Sequence, residues 1–201
     1  MHYEAQELAK NIFYFKFGIY EPHKLIEFIE NTDVDPEIDE SIISKWTPWT
    51  SSTSPDDIYG YKKNINGKNK ILSPKELYIY NSIRSSMIFA ASEYKIYNNI
   101  TDDIHMSKEF DIKKYNTGQM MGPHADQNDG DSNLNYSIVA YLNDDYEGGE
   151  ISFPNHNVML KPNAGSLIIF PSSDPYLHES KEITSGIKYM SPGFWTKQKT
   201  D

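Results

Sequence analysis

The chain has no cysteine among its 201 residues. Disulfides, thiolate zinc sites and cysteine nucleophiles are therefore excluded. Arginine is nearly absent too, since only Arg84 among the 19 basic residues is an arginine. Any anion held here must meet a lysine or a hydroxyl in place of a bidentate guanidinium. No apolar run approaches the roughly 18 residues that a membrane-spanning helix needs. The opening MHYEAQELAK lacks a basic segment ahead of an apolar one. It does not read as a secretory signal, and a cytoplasmic protein is expected. Positive charge is outweighed, for a net charge of −10. A polyanion would be repelled, so nucleic acid is not the expected partner, whereas a neutral or basic substrate is compatible.

What is present is a chain long enough for one domain with a sizeable core. It has no internal repeats and no long low-complexity tract. Residues 11–19, NIFYFKFGI, alternate and are rich in aromatics, which predicts a strand. Pro22 opens PHKLIEFIENT, a short amphipathic helix with proline in its first turn. Residues 31–70 read as irregular and polar, with WTPW at 46–49 and a turn at 64–67. Ser73-Pro74-Lys75-Glu76 is a capping box, and the segment that it opens runs as the longest helix to about Tyr97.

From residue 108 the pattern changes. KEFDIKKY alternates, and LNYSIVAYLN at 134–143 is a nearly continuous buried strand. EISF, NVML, SLIIF and GIKYMSPGFW follow, separated by GG, PNAG and SSDP. Short strands at close spacing predict antiparallel sheets in a sandwich or barrel. The expected fold is mainly β with flanking helices: a jelly-roll core, with the N-terminal helices packed on one sheet. A single domain is expected over 1–201, with a supporting part at 1–107 and a core at 108–201.

GPHADQNDGD at 122–131 places His124 and Asp126 two residues apart. In an extended strand such residues point to one side. A histidine-x-aspartate pair is also compatible with a solvated turn. His178, in PYLHES, supplies a second imidazole. Two histidines and one carboxylate form the facial triad of non-haem Fe(II) oxygenases, which leaves coordination positions open. His178 would open the penultimate strand, although a surface histidine fits that polar stretch as well. Lys188 lies ten residues beyond His178. A straight strand of that length could not serve one site, so a turn at 184–186 is expected. Lys188 sits between Ile187 and Tyr189, where an unpaired buried ammonium would be costly. A bound anion would satisfy it, and so would a structural Asp or Glu.

From Tyr115 onward the chain resembles the Fe(II)- and 2-oxoglutarate-dependent dioxygenases, most closely their prolyl 4-hydroxylase-like branch. The resemblance rests on Tyr115, Gly118, His124-x-Asp126, Tyr141-Leu142-Asn143, Gly148-Gly149-Glu150 with Phe153-Pro154, Pro162 and Gly165, His178, and Gly186-x-Lys188. It spans roughly residues 110–196. It implies that His124, Asp126 and His178 bind Fe(II). It implies that Lys188 pairs with the distal carboxylate of 2-oxoglutarate, with Tyr115 facing that co-substrate and Ser137 donating a hydroxyl to the same carboxylate. O₂ would be the oxidant, and the resemblance admits ascorbate as an auxiliary. The implied substrate is a peptide or protein, with a peptidyl proline as the hydroxylated residue. A non-catalytic jelly roll that holds a metal or binds a peptide is the alternative, and a cupin without co-substrate needs more histidines than this chain can place.

Two departures from the family stand out. Met121 replaces an aromatic three residues before the first histidine. Phe194 stands where the family has a tryptophan, and Trp195 follows it. The remaining histidines, His2, His23, His105 and His156, have no partners at ligand spacing. The acidic run 126–131 does not fit a calcium loop, because Ser137 would occupy the position that requires glutamate. That lip and the segment 50–70 are expected to frame the substrate groove.

Overall fold

Two-residue alternation sorts the largest sheet into two faces, and that sorting positions the site. The structure is a computed structural model, describing residues 4–32, 45–50, 56–66, 73–102, 104–127 and 134–197. In chain order the described elements are β1 (Ala5–Ala9), β2 (Ile12–Phe15), α1 (Pro22–Glu30), β3 (Thr47–Thr50), β4 (Ile58–Asn66) and α2 (Pro74–Tyr97). There follow β5 (Ile104–Met106), β6 (Glu109–Asn116), β7 (Met121–His124), β8 (Leu134–Tyr141), β9 (Glu147–Gly148), β10 (Ile151–Phe153) and β11 (Val158–Leu160). The chain ends with β12 (Leu167–Pro171), β13 (His178–Ser180), β14 (Ile183–Ser185) and β15 (Ile187–Lys197).

The major sheet has the order β1-β2-β12-β8-β15-β6-β4-β3, with β5 also on β15. The minor sheet is β11-β10-β13-β7, and β9 pairs with β14. Every pairing is antiparallel. On β8, Ile138 and Ala140 join one apolar cluster while Val139 and Tyr141 join another. The same split divides Leu167 and Ile169 from Ile168 and Phe170 on β12. The first face packs under the helices. The second meets Ile151 and Phe153 of the minor sheet. This is the jelly roll expected, with its helices on the outer face of one sheet.

Helix α2 begins where its capping box predicts: Ser73 Oγ accepts from the Glu76 N–H, and the Glu76 carboxylate accepts from the Ser73 N–H. Its buried residues Ile79, Ile83, Met87, Ala90 and Tyr94 recur at helical spacing and form the inward stripe. Helix α1 buries Leu25 and Ile29. Its last residue, Glu30, accepts from Tyr189 Oη at 2.8 Å and Lys114 Nζ at 3.0 Å. One carboxylate thus ties α1 to β15 and β6.

Two expectations need correction. The region 31–70 is not wholly irregular, because β3 and β4 extend the major sheet through pairing with β6. Alternation failed to reveal β4 because Lys63 occupies an inward position. Its ammonium is buried and donates to the Ile29 carbonyl at 2.6 Å. The N-terminal part thus holds strands β1 to β5 beside helices α1 and α2. Lastly, β13 is third from the end, so His178 does not open the penultimate strand. The turn expected near 184–186 is present, with Gly186 at φ 83° between β14 and β15. Residues 128–133, and 51–55 and 67–70 of the expected groove frame, lie outside the described residues.

Candidate active site

His124 ends β7 and His178 begins β13, and the two are paired directly across the ladder. Their ring centroids are 4.3 Å apart. Asp126 lies two residues past His124, just beyond the end of β7. Its carboxylate faces both rings, with Oδ1 3.5 Å from His124 Nε2 and Oδ2 3.5 Å from His178 Nε2. The ligand atoms of all three lie within 4.8 Å of one another. Each histidine turns its other nitrogen to a backbone carbonyl. His124 Nδ1 meets the Gly122 oxygen at 2.9 Å, and His178 Nδ1 meets the Tyr176 oxygen at 3.2 Å. A carbonyl can only accept, so the proton belongs on Nδ1 and the Nε2 lone pair is left for a ligand. That donor set could hold a divalent metal.

Electrostatics follow from burial and the shared acid. Burial alone would raise the Asp126 pKa. The hydrogen bond with His124, the nearby His178 and the Ser137 hydroxyl outweigh it and hold the group below the usual carboxylate range. Burial lowers the His124 pKa, but its bonds to Asp126 and the Gly122 carbonyl reverse the sign and raise it. His178 is lowered, with burial dominant over the attraction of Asp126. A neutral imidazole is the form that can ligate a metal.

A cavity of about 510 Å³ joins this triad to Lys188, Tyr115 and Met190 on the floor of the major sheet. Lys188 is 1% exposed. Its ammonium donates to the Gly149 carbonyl at 2.7 Å and to Ser180 Oγ at 2.8 Å. Among the described residues no carboxylate comes within ion-pair distance of it. The rings of Tyr115, Tyr141 and Tyr146 lie 5.5, 5.5 and 5.9 Å from its nitrogen. Burial depresses its pKa to about 7, against a weaker opposing pull from Glu150. Tyr115 is fully buried beside Lys188 in the β6–β15 ladder, and its hydroxyl has no hydrogen-bond partner among the described residues. Burial, with the charge of Asp126, pushes that hydroxyl's pKa up. An ammonium bonded only to neutral acceptors and a phenol without a partner, in one cavity among the described residues, match an anionic ligand.

Residues 110–196 match the family model described as the 2OG-Fe(II) oxygenase superfamily. That match runs from β6 to β15 and covers less than half of the chain. A 78-residue stretch is 37% identical to a PKHD-type hydroxylase from Prochlorococcus marinus strain AS9601, covering 36% of this chain and 34% of the relative. A second PKHD-type hydroxylase, from strain NATL1A, is 32% identical over 82 residues, covering 38% of this chain and 36% of the relative. The matched stretch thus spans about a third of the length of these curated relatives. Solved structures are similar over nearly the whole fold. A Trichoplax adhaerens prolyl hydroxylase, in complex with a hypoxia inducible factor peptide fragment, has TM-score 0.69 at 15% identity, covering 93% of this chain and 84% of that one. A viral collagen prolyl hydroxylase from Paramecium Bursaria Chlorella virus-1 has TM-score 0.62 at 17% identity, covering 96% and 100%.

The structure does not bring Ser137 to Lys188. Ser137 pairs with Phe194, six residues along β15 from the lysine, and its hydroxyl donates to Asp126 Oδ2 at 2.6 Å. Its expected place beside the co-substrate carboxylate is corrected accordingly. Phe194 lines the cavity, whereas Trp195 packs edge-on against Tyr136 on the helix side, as a one-residue slip along a strand requires. Met121 lines the cavity. His156 stacks on Tyr176, away from the triad.

Sequence reasoning missed Tyr141, Ser180 and Trp49. Tyr141 lines the cavity and shares the inward face of β8 with Ser137 and Val139. The alternation was there to show it. Ser180 lies two residues after His178 on β13, again on one side. Trp49 stacks edge-on against Tyr115 at 5.8 Å from a strand that the polar composition hid.

Proposed function

We propose that this protein is an Fe(II)- and 2-oxoglutarate-dependent oxygenase that hydroxylates a C–H bond of a peptidyl proline. The observation that carries the reading is one cavity that joins two sets of groups: imidazole and carboxylate ligand atoms at one end, and at the other a buried ammonium without a counter-charge beside a phenol without a partner among the described residues. A structural metal site has no use for the second set. His124, Asp126 and His178 would hold the metal, and Lys188 with Tyr115 would hold the distal carboxylate of 2-oxoglutarate. Metal and co-substrate together would supply the oxidising power for hydroxylation, with succinate and CO₂ as the co-products.

The chain's own residues bind and orient. The Gly122 and Tyr176 carbonyls fix the imidazole tautomers, and burial strengthens the attraction between Lys188 and an anion. The wall of Trp49, Met121 and Phe194 gives the cavity an apolar side for a substrate. The proline assignment draws support from the prolyl hydroxylases that share the fold. Ascorbate as an auxiliary reductant belongs to the same proposal.

The test is anaerobic loading with Fe(II), addition of 2-oxoglutarate and O₂, and mass spectrometry of candidate peptides, proline-rich ones first. Succinate with one oxygen added to a defined residue is the expected result. Absence of succinate, with His124→Ala matching wild type in metal content, would remove the proposal in favour of a non-catalytic module.

A further inference from the structure

Asp126 is not held by a strand. The β7 ladder ends at His124. The i, i+2 geometry that places two side chains on one side of a strand therefore cannot fix the carboxylate. Something else must, and the described residues show what. The Ser137 hydroxyl donates to Asp126 Oδ2 at 2.6 Å. Ser137 Oγ also lies 2.7 Å from Ser172 Oγ. A serine has one hydroxyl proton. Ser137 commits its proton to the carboxylate, so it can only accept from Ser172. The order is Ser172 to Ser137 to Asp126, and each bond polarises the next. Both serines are buried, at 1% exposure each. The backbone repeats the grip, since the Gln127 N–H donates to the Ser172 carbonyl at 2.9 Å. Ser172 in turn is fixed to the end of β8 through its own N–H, which donates to the Asn135 carbonyl at 3.0 Å.

We infer that the Ser172–Ser137 hydroxyl relay is a positioning device that commits Asp126 Oδ2 to the protein and leaves Oδ1, which faces His124 Nε2 at 3.5 Å, for the metal. This rests on the reading of the triad as a metal site. Ser137 and Ser172 are positioning residues, because they act through Asp126. A carboxylate free to rotate could offer both oxygens and occupy a coordination position that the reaction needs open. The relay prevents this without touching the metal itself. It also gives a role to the two small hydroxyl residues, Ser137 on β8 and Ser172 just past β12, since an apolar pair there would leave Asp126 Oδ2 without its donor.

The experiment is Co(II) titration of metal-free protein, followed by visible absorption, for wild type, Ser137→Ala, Ser137→Thr and Ser172→Ala. Circular dichroism of each metal-free variant checks that it is folded. Ser137→Ala is expected to bind Co(II) about 10-fold or more weakly, in the range seen when a metal ligand loses its outer hydrogen bond. Its Co(II) band should shift, reporting a changed coordination. Ser137→Thr restores the hydroxyl and should restore both affinity and band, and Ser172→Ala should fall between. If Ser137→Ala is folded and keeps the wild-type affinity and spectrum, the inference is overturned while the metal site stands. If Ser137→Ala does not fold, Ser172→Ala decides alone, and wild-type affinity and spectrum there overturn the inference. If wild type itself binds no Co(II), the metal reading fails and takes the inference with it.

Discussion

An ammonium at 1% exposure has lost its water, and Lys188 recovers only two neutral acceptors in exchange. That is why its pKa falls to about 7. In the unfolded chain the same group titrates at its ordinary 10.5. Between these values the unfolded state binds the extra proton, so the ligand-free protein gains stability from this group as pH rises through that window. Below it, the full cost of burying the charge applies. A bound dianion favours the ammonium and raises its pKa. Binding of 2-oxoglutarate should therefore take up a proton above pH 7, and affinity should fall by up to about tenfold per pH unit. Calorimetry in two buffers of different ionisation enthalpy measures that uptake. Binding without it under alkaline conditions would mean that Lys188 is not the partner. Sequence alone could place Lys188 in an apolar strand but could not say whether an acid faced it. Only the three-dimensional neighbourhood shows that, among the described residues, none comes within ion-pair distance of it. Ser137 is the reverse case: its position in the motif was readable, but its hydroxyl's target depended on where β7 stops.

Elements were legible where chemistry and periodicity agreed. The capping box at Ser73 announced α2, and the apolar run at 134–143 announced β8. Strand β4 was hidden because Lys63 fills an inward position, its ammonium held by a backbone carbonyl where an apolar side chain would ordinarily sit. The tandem glycines at the end of β9 were read as turn residues, and both have positive φ, at 72° and 67°. Gly149 does more, since its carbonyl holds Lys188. A Cβ there would lie 2.4 Å from Ile183 Cδ1. Gly149→Ala should therefore destabilise the protein by about 1–3 kcal/mol in urea unfolding. It should weaken 2-oxoglutarate binding as well, because the carbonyl must shift. An unchanged urea midpoint together with unchanged co-substrate affinity would refute this role for the turn.

At the scale of the molecule, the N-terminal part is built into the core. Strand β2 covers β12 and β4 covers β6, on opposite sides of the central β8–β15 pair. Removing residues 1–107 would expose two sheet edges and the apolar face that α1 and α2 cover. The isolated 108–201 fragment is expected to aggregate, whereas the 201-residue chain should unfold in one cooperative transition. Calorimetry of the full chain and light scattering of the fragment check this. A soluble, folded fragment would show that the support is dispensable. The central claim is that one cavity joins a metal triad to a co-substrate cation. The most direct measurement is anaerobic calorimetric titration of 2-oxoglutarate into Fe(II)-loaded wild type, Lys188→Ala and Asp126→Ala. Wild type should bind at a single site. Lys188→Ala should keep its iron but bind about two to three orders of magnitude more weakly, as when one partner of a buried charge pair is removed, and Asp126→Ala should lose iron and co-substrate together. Wild-type affinity in Lys188→Ala would contradict the account.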